Sequence, residues 1–296
     1  MSETTGSLLQ KIGSATDLHG VVRTMKAVAA SSVGQYESAV RSLDDYYHTV
    51  QLGLAACLRD PEMRNSQGAL NFSESEEGSI IAIVFGSDQG LVGQFNEVMV
   101  DFLLRSMQEL AADKSVWVVG ERVGSRLEDS ALESSLHFRL PGAIQAISPL
   151  IATIMTKVEA LLEQNKLKEI YLFNNRPTGP STYTPVRQRL LPLDAAWSRE
   201  LVALPWPTTL PPQVINGARN TLPALIHEYL FVSIFRACAE SLASENASRL
   251  AAMQRAEKNI DELLNQMTRS YHRLRKDNID AELFDLIAGF ESLNED

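Results

Sequence analysis

The chain has 296 residues, 45% hydrophobic and 22% charged, enough for one sizeable core plus an extension. Its net charge of -10 argues against a nucleic-acid partner held by phosphate neutralisation and against polybasic attachment to anionic lipid. The only cysteines, Cys57 and Cys238, lie in helix-patterned stretches with no other ligand type at metal spacing, so buried side chains in a reducing compartment are expected.

The N-terminus, MSETTGSLLQK, has neither a basic n-region nor an apolar h-region, and no run of about 18 apolar residues occurs. Neither a signal peptide nor lipid insertion is expected, and the sequons at Asn71 and Asn246 are read as accidental. Apolar or small residues then recur at three- and four-residue steps, as at Ile12, Ala15, Leu18, Val22, Met25 and Val28, predicting a helix over residues 1–60 with a seam of period near 3.5. Gly13, Gly20, Gly34 and Gly53 each weaken it by about 1 kcal/mol relative to alanine, so a partner helix is required. A linker is expected at 61–78.

Residues 79–202 alternate between strand and helix patterns. The apolar run SIIAIVFG (79–86) reads as a strand, followed by a helix from Gly93 to Ala112. SVWVVG (115–120), a short helix, LHFRL (136–140), a helix near 148–164 and EIYLFNN (169–175) continue the alternation toward a small Rossmann-like α/β domain. TYTPVRQRLLPL (182–193) adds a strand, placed at an edge because Pro185 removes a ladder donor. The Pro-rich ALPWPTTLPP (203–212) links to a helix over 213–296, too long for an ordinary globular helix. All twelve prolines and all three tryptophans lie between residues 61 and 223, leaving both chain ends free to form long helices. The expected architecture is α/β and mostly helical: the terminal helices wound as an antiparallel coiled coil, carrying the α/β domain.

No catalytic constellation emerges. GSDQGLVGQFN (86–96) is the one glycine loop placed to cradle a phosphate, but it lacks both the GxGxxG spacing and a Gly-Lys-Ser/Thr ending. The five histidines are scattered, with no HExxH, and no serine sits in a GxSxG elbow. No catalytic, cofactor-binding or metal-ligating residues are expected.

Three segments together resemble the gamma subunit family of F-type ATP synthases. KIGSATDLHGVVRTMKAVAASSV (11–33) is similar to the family's N-terminal helix signature through Met25–Ser31. VFGSDQGLVGQFN is similar to its first-strand turn, matched at Ser87, Asp88, Gly90, Leu91, Gly93 and Asn96. SLASENASRLAAMQRAEKN (241–259), with Arg249 and Met253, is the most specific, and YHRLRKDNIDAELFDLIAG (271–289) follows it in register. IYLFNNRP and RQRLLPL match more weakly.

The resemblance implies a non-catalytic rotary shaft. Its coiled coil would turn inside a hexamer of alpha and beta subunits, and its α/β foot would rest with the epsilon subunit on a membrane ring of c subunits. The location implied is the cytoplasmic face of a bacterial inner membrane. Met25 and Lys26 would lie at the shaft-ring contact with Arg249 facing them, and Arg275, Lys276, Asp280 and Glu282 would meet the ring's catch and bearing loops. The family's basic stretch after Ala-Ala-Ser has no Lys or Arg in SSVGQYESAV (31–40). Gln89, Val92 and Gln94 stand where Arg, Cys and Gly are usual, and Lys276 and Asp280 replace Gln and Thr, suggesting a divergent branch. The rival reading is a coiled-coil structural adaptor with a partner-binding α/β head; a nucleotide-dependent enzyme would need substrate binding at residues 86–96.

Overall fold

The computed structural model describes residues 4–60, 78–110, 112–128, 130, 132, 134–179, 181–210, 212–215 and 217–293. The linker expected at 61–78 and the sequon at Asn71 fall almost wholly outside them. In chain order the elements are α1 (Thr5–Arg59), β1 (Ser79–Phe85), α2 (Phe95–Gln108), β2 (Lys114–Val119), α3 (Glu121–Leu127) and β3 (Ser134–Phe138). A 3-10 turn leads into α4 (Ile147–Glu163), followed by β4 (Leu167–Gly179), β5 (Thr182–Leu191), α5 (Ala195–Val202) and α6 (Ala218–Leu293). Contacts divide the chain into a central unit, residues 30–249, and a terminal unit, residues 1–29 with 250–296. Both long helices contribute to each.

In the central unit the sheet order is β3-β2-β1-β4-β5, parallel except for antiparallel β5 at one edge. Pro185 sits on that edge strand opposite Asn175, where a missing N–H is tolerated. Successive side chains of a strand point to opposite faces. Ile81, Ile83 and Phe85 therefore join one cluster with α1, α4 and α6, while Ile80, Ala82 and Val84 join another with α2 and α3. Burial on both faces explains why β1 reads as an unbroken apolar run rather than an alternation.

The long helices pair antiparallel in the central unit. Tyr46 Oη donates to Glu228 at 2.6 Å, Tyr47 lies 5.7 Å from Tyr229 ring to ring, and a Cβ on Gly53 would meet Leu225 at 3.2 Å. Among the glycines of α1, Gly53 is the one at which α6 leaves little room for a side chain. The helix expected from 213 begins at Ala218, after Gly217 takes φ 77, and it accommodates Pro223 in its second turn. Helix α5 was not expected. The strand read to 193 stops at Leu191, and Asp194 then caps α5, accepting from the Trp197 N–H at 2.9 Å. Trp197 packs edge-on against Tyr229, with ring centroids 5.4 Å apart.

Residues 144–163 and α6 are long and apolar enough by composition to cross a membrane. Within the fold, α4 buries Ile147, Ile151, Ile154, Met155 and Val158, and the start of α6 buries Leu222, Ile226 and Leu230 in the same cluster. Their apolar character serves the core.

In the terminal unit the helices are again antiparallel: Lys26 pairs with Glu257, and His19 Nε2 lies 3.2 Å from Asp261 Oδ1. Its buried cluster is small: Val22, Met253 and Ile260, flanked by Met25, Ala252, Ala256 and Leu264. Gly20 has open space where a Cβ would stand. Gly20→Ala is therefore expected to stabilise the chain by about 0.5–1 kcal/mol, through helix propensity and a less flexible unfolded state. A urea midpoint unchanged or lower would contradict it.

Candidate functional site

After β1 the chain turns through residues 86–94. Ser87, fully buried, donates its N–H to Asn96 Oδ1 at 3.1 Å, and Asn96 Nδ2 donates back to Ser87 Oγ at 2.9 Å. Asp88 faces the other way, accepting from the Glu121 N–H at 3.0 Å and the Leu140 N–H at 3.3 Å. One carboxylate thereby ties together the loops that follow β1, β2 and β3. Gly93 takes φ 59, a left-handed conformation that favours glycine. Leu91 takes φ 62 despite its side chain, which is 61% exposed. A Cβ at Gly90 would meet only the Arg122 guanidinium at 3.8 Å, so space does not demand glycine there.

The order β3-β2-β1-β4 reverses direction at β1 and β4, and the crevice outside their C-terminal ends is where open α/β sheets hold ligands. Here α6 lies across it. Ser241 Oγ donates to Phe85 O at 3.5 Å, Ser244 Oγ to Asn175 O at 2.9 Å, and Ser248 Oγ to Val92 O at 2.6 Å. Glu240, 3% exposed, accepts from Asn174 Nδ2 at 2.9 Å and Arg176 Nε at 3.0 Å on one oxygen, and from Arg236 Nε at 3.0 Å on the other. Arg236 also reaches Asp44 of α1 at 3.1 Å. Two amides of the turn are engaged by the chain itself, Ser87 as above and Gly86 with Val119 O at 2.8 Å, and the Arg122 N–H of α3 donates to Ser87 O at 2.9 Å.

One turn further on, Glu245 is 4% exposed and accepts from Arg249 Nη2 at 2.6 Å. Burial pushes its carboxyl up; the Arg249 charge and hydrogen bond oppose that, and Asp88 adds to it. Burial, then the Glu245 charge, also pushes the Cys238 thiol up, which makes it unreactive. Asn246 is buried and donates to Leu242 O at 2.8 Å, so its sequon is closed to a glycan.

The terminal unit has a different surface. Leu9, Leu18, Val21 and Val28 of α1 are each at least half exposed, as are Ile279, Leu283, Phe284 and Leu286 of α6, and Ile287 is 47% exposed. On α1 these are side chains that point away from α6, whereas on α6 every residue from 275 to 288 is exposed, the pattern of a helix stretch without a neighbour among the described residues.

A family model described as ATP synthase matches residues 4–293. The chain belongs to the ATP synthase gamma family. It is 24% identical over 293 residues to the ATP synthase gamma chain of Polynucleobacter asymbioticus, covering 96% of this chain and 98% of that one. To the gamma chain of Polaromonas naphthalenivorans it is 25% identical, covering 94% and 96%. Among solved structures, a chain of the Euglena gracilis mitochondrial ATP synthase (OSCP/F1/c-ring, rotational state 3) matches with TM-score 0.63 at 16% identity, over 98% of this chain and 94% of that chain. A chain of the Tetrahymena thermophila central stalk and c-ring matches with TM-score 0.51 at 20% identity, over 80% and 99%. The expected fold, long terminal helices with a small mixed sheet, is the gamma fold, and the chain's role is the family's, the central rotary shaft of an ATP synthase.

Among the turn residues singled out from the sequence, Ser87 and Asn96 bond each other, Asp88 bonds the loops after β2 and β3, and Leu91 and Gly93 supply the positive-φ bends between them. The Arg249 side chain is 12% exposed and bonds Glu245 and Asn246 on its own helix, while Lys26 bonds Glu257. Arg275, Lys276, Asp280 and Glu282 are exposed, and among the described residues none has an ion-pair partner. Glu240, Ser241, Ser244 and Ser248 were not expected as site residues. Their signal was a run of Ser and Asn, modest helix formers that compete for backbone hydrogen bonds, interleaved with two Glu inside a long helix.

Proposed function

We propose that the chain is the non-catalytic shaft of a bacterial synthase, turning inside a hexamer of alpha and beta subunits. Its foot sits with the epsilon subunit on a ring of c subunits at the cytoplasmic face of the inner membrane. The observation that carries this is the apolar surface of the terminal unit. Among the described residues of this unit ten large apolar side chains, Leu9, Leu18, Val21, Val28, Leu263, Ile279, Leu283, Phe284, Leu286 and Ile287, remain 47 to 69% exposed, against a buried trio. Such a surface needs a sleeve. The relatives named ATP synthase gamma chain, and a structural neighbour titled central stalk with c-ring, support the same reading.

An apolar sleeve gives little resistance to turning, because burial is non-directional. Sparse charges then set preferred angles. Met25, Lys26, Arg249, Arg275, Lys276, Asp280 and Glu282 are the proposed contacts with the ring, and each angle of the shaft favours a different open or closed state of each catalytic subunit.

Co-purification with a hexameric ATPase tests the assignment directly; a chain that isolates with other partners and never with the ring would return the adaptor reading. Removing residues 287–296 is expected to leave assembly intact and to lower ion transport per ATP hydrolysed. Complete loss of membrane-bound subunits in that truncation would refute a bearing role for the tip.

A further inference from the structure

We infer that the polar face of α6 at the sheet's switch point is a torque lock, the joint through which the foot turns the shaft helix; this rests on the shaft reading above. A shaft must not slip inside its own foot. Most of the grip on α6 in the central unit is apolar, through Leu222, Ile226, Leu230, Ile234 and Leu242; that packing holds the helix in place, while the hydrophobic effect itself sets no preferred angle. Hydrogen bonds do have one, weakening steeply once donor and acceptor are misaligned.

Glu240, Ser241, Ser244 and Ser248 fall within an arc of about 100° of the helix, at 3.6 residues per turn. Each grips a different point on the foot. Ser241 holds the last carbonyl of β1, Ser244 a carbonyl of β4, Ser248 the β1–α2 turn, and Glu240 two side chains of β4. Three of the acceptors are backbone carbonyls, which cannot follow a turning helix as a flexible side chain would. A rotation of α6 by one residue step would break all four contacts together. Arg236 extends the lock to α1 through Asp44, so both shaft helices are keyed to one strand. The joint fills the crevice that open α/β sheets offer to ligands; a geometry suited to holding a small molecule here holds a helix.

The test uses the assembled synthase, with a bead attached at Lys157→Cys, an exposed position on α4; both native cysteines are buried. In the triple variant Ser241→Ala/Ser244→Ala/Ser248→Ala, the angular spread of the bead during pauses of ATP-driven rotation is expected to at least double. Ions moved per ATP under load are expected to fall by half or more. Ile154→Val, a core change with no polar contact to lose, sets the effect of lost stability alone. Spread and coupling equal to those of the parent, or matched by Ile154→Val, would overturn the lock. If the triple variant fails to assemble, Glu240→Gln is read with the same bead, and a spread equal to the parent's is then the overturning result. A parent chain that joins no hexamer and shows no rotation would overturn the shaft reading itself, and the lock with it.

Discussion

Replacing Glu240 with alanine is expected to cost about 3 kcal/mol of stability, the lower end of what removing one partner from a buried ion pair costs. The carboxylate is 3% exposed and engages three donors, while Arg176 is 44% exposed and Arg236 30% exposed. The two guanidinium groups can therefore regain water, which keeps the cost at the lower end. Asn174 cannot: at 2% exposure its amide would lose its acceptor, adding about 1 kcal/mol. Arg176→Ala should be milder, because Glu240 keeps Arg236. Urea unfolding of the two single variants and the double variant gives the coupling between them. A loss below about 1 kcal/mol for Glu240→Ala would mean the network is effectively solvated.

The parts of the fold legible in the sequence were those set by long-range patterning. Helices α1 and α6 announce themselves because a seam of small and apolar side chains repeats over many turns with no proline to interrupt it before Pro61 or after Pro223. The parallel strands are readable because both faces are buried, which leaves compact β-branched runs such as SIIAIVF. Helix α5 escaped because eight residues hold too little periodicity. Its real signal was local: Asp194 three residues before the Trp197 amide it caps.

The site was legible in a different measure. The turn was visible as a motif, yet the motif did not say which glycines the backbone requires; Gly93 needs a positive φ and Gly90 does not. The joint on α6 stayed hidden because its serines donate to backbone carbonyls, and a carbonyl is the same on every residue. Nothing in the identity of Phe85, Val92 or Asn175 marks it as a partner. Arg249 illustrates the converse. Its position in a family-like run said nothing about whether the guanidinium turns outward or, as here, in toward Glu245.

Gly120→Ala is expected to be a severely damaging single-methyl change in the foot, costing about 3–5 kcal/mol when backbone strain and overpacking are combined. Gly120 follows β2 with φ 108, a conformation that side chains rarely adopt. Its Cβ would stand 2.9 Å from Ser87 N and 3.0 Å from Gly86 C, against the backbone of the turn after β1. That turn cannot withdraw, since Gly86 donates to Val119 O, Ser87 O accepts from the Arg122 N–H, and Asp88 bonds the Glu121 N–H. Nor can Gly120, whose own N–H donates to Phe138 O at 3.0 Å. The strain would pass through Ser87 and Asn96 to Val92, where Ser248 of α6 is anchored, so assembly with the other subunits should weaken along with stability. Gly90→Ala, in the same turn but facing only the Arg122 side chain, is the control, expected to stay within about 0.5 kcal/mol of the parent. Equal urea midpoints for the two variants would show that the turns after β1 and β2 are not pressed together as described.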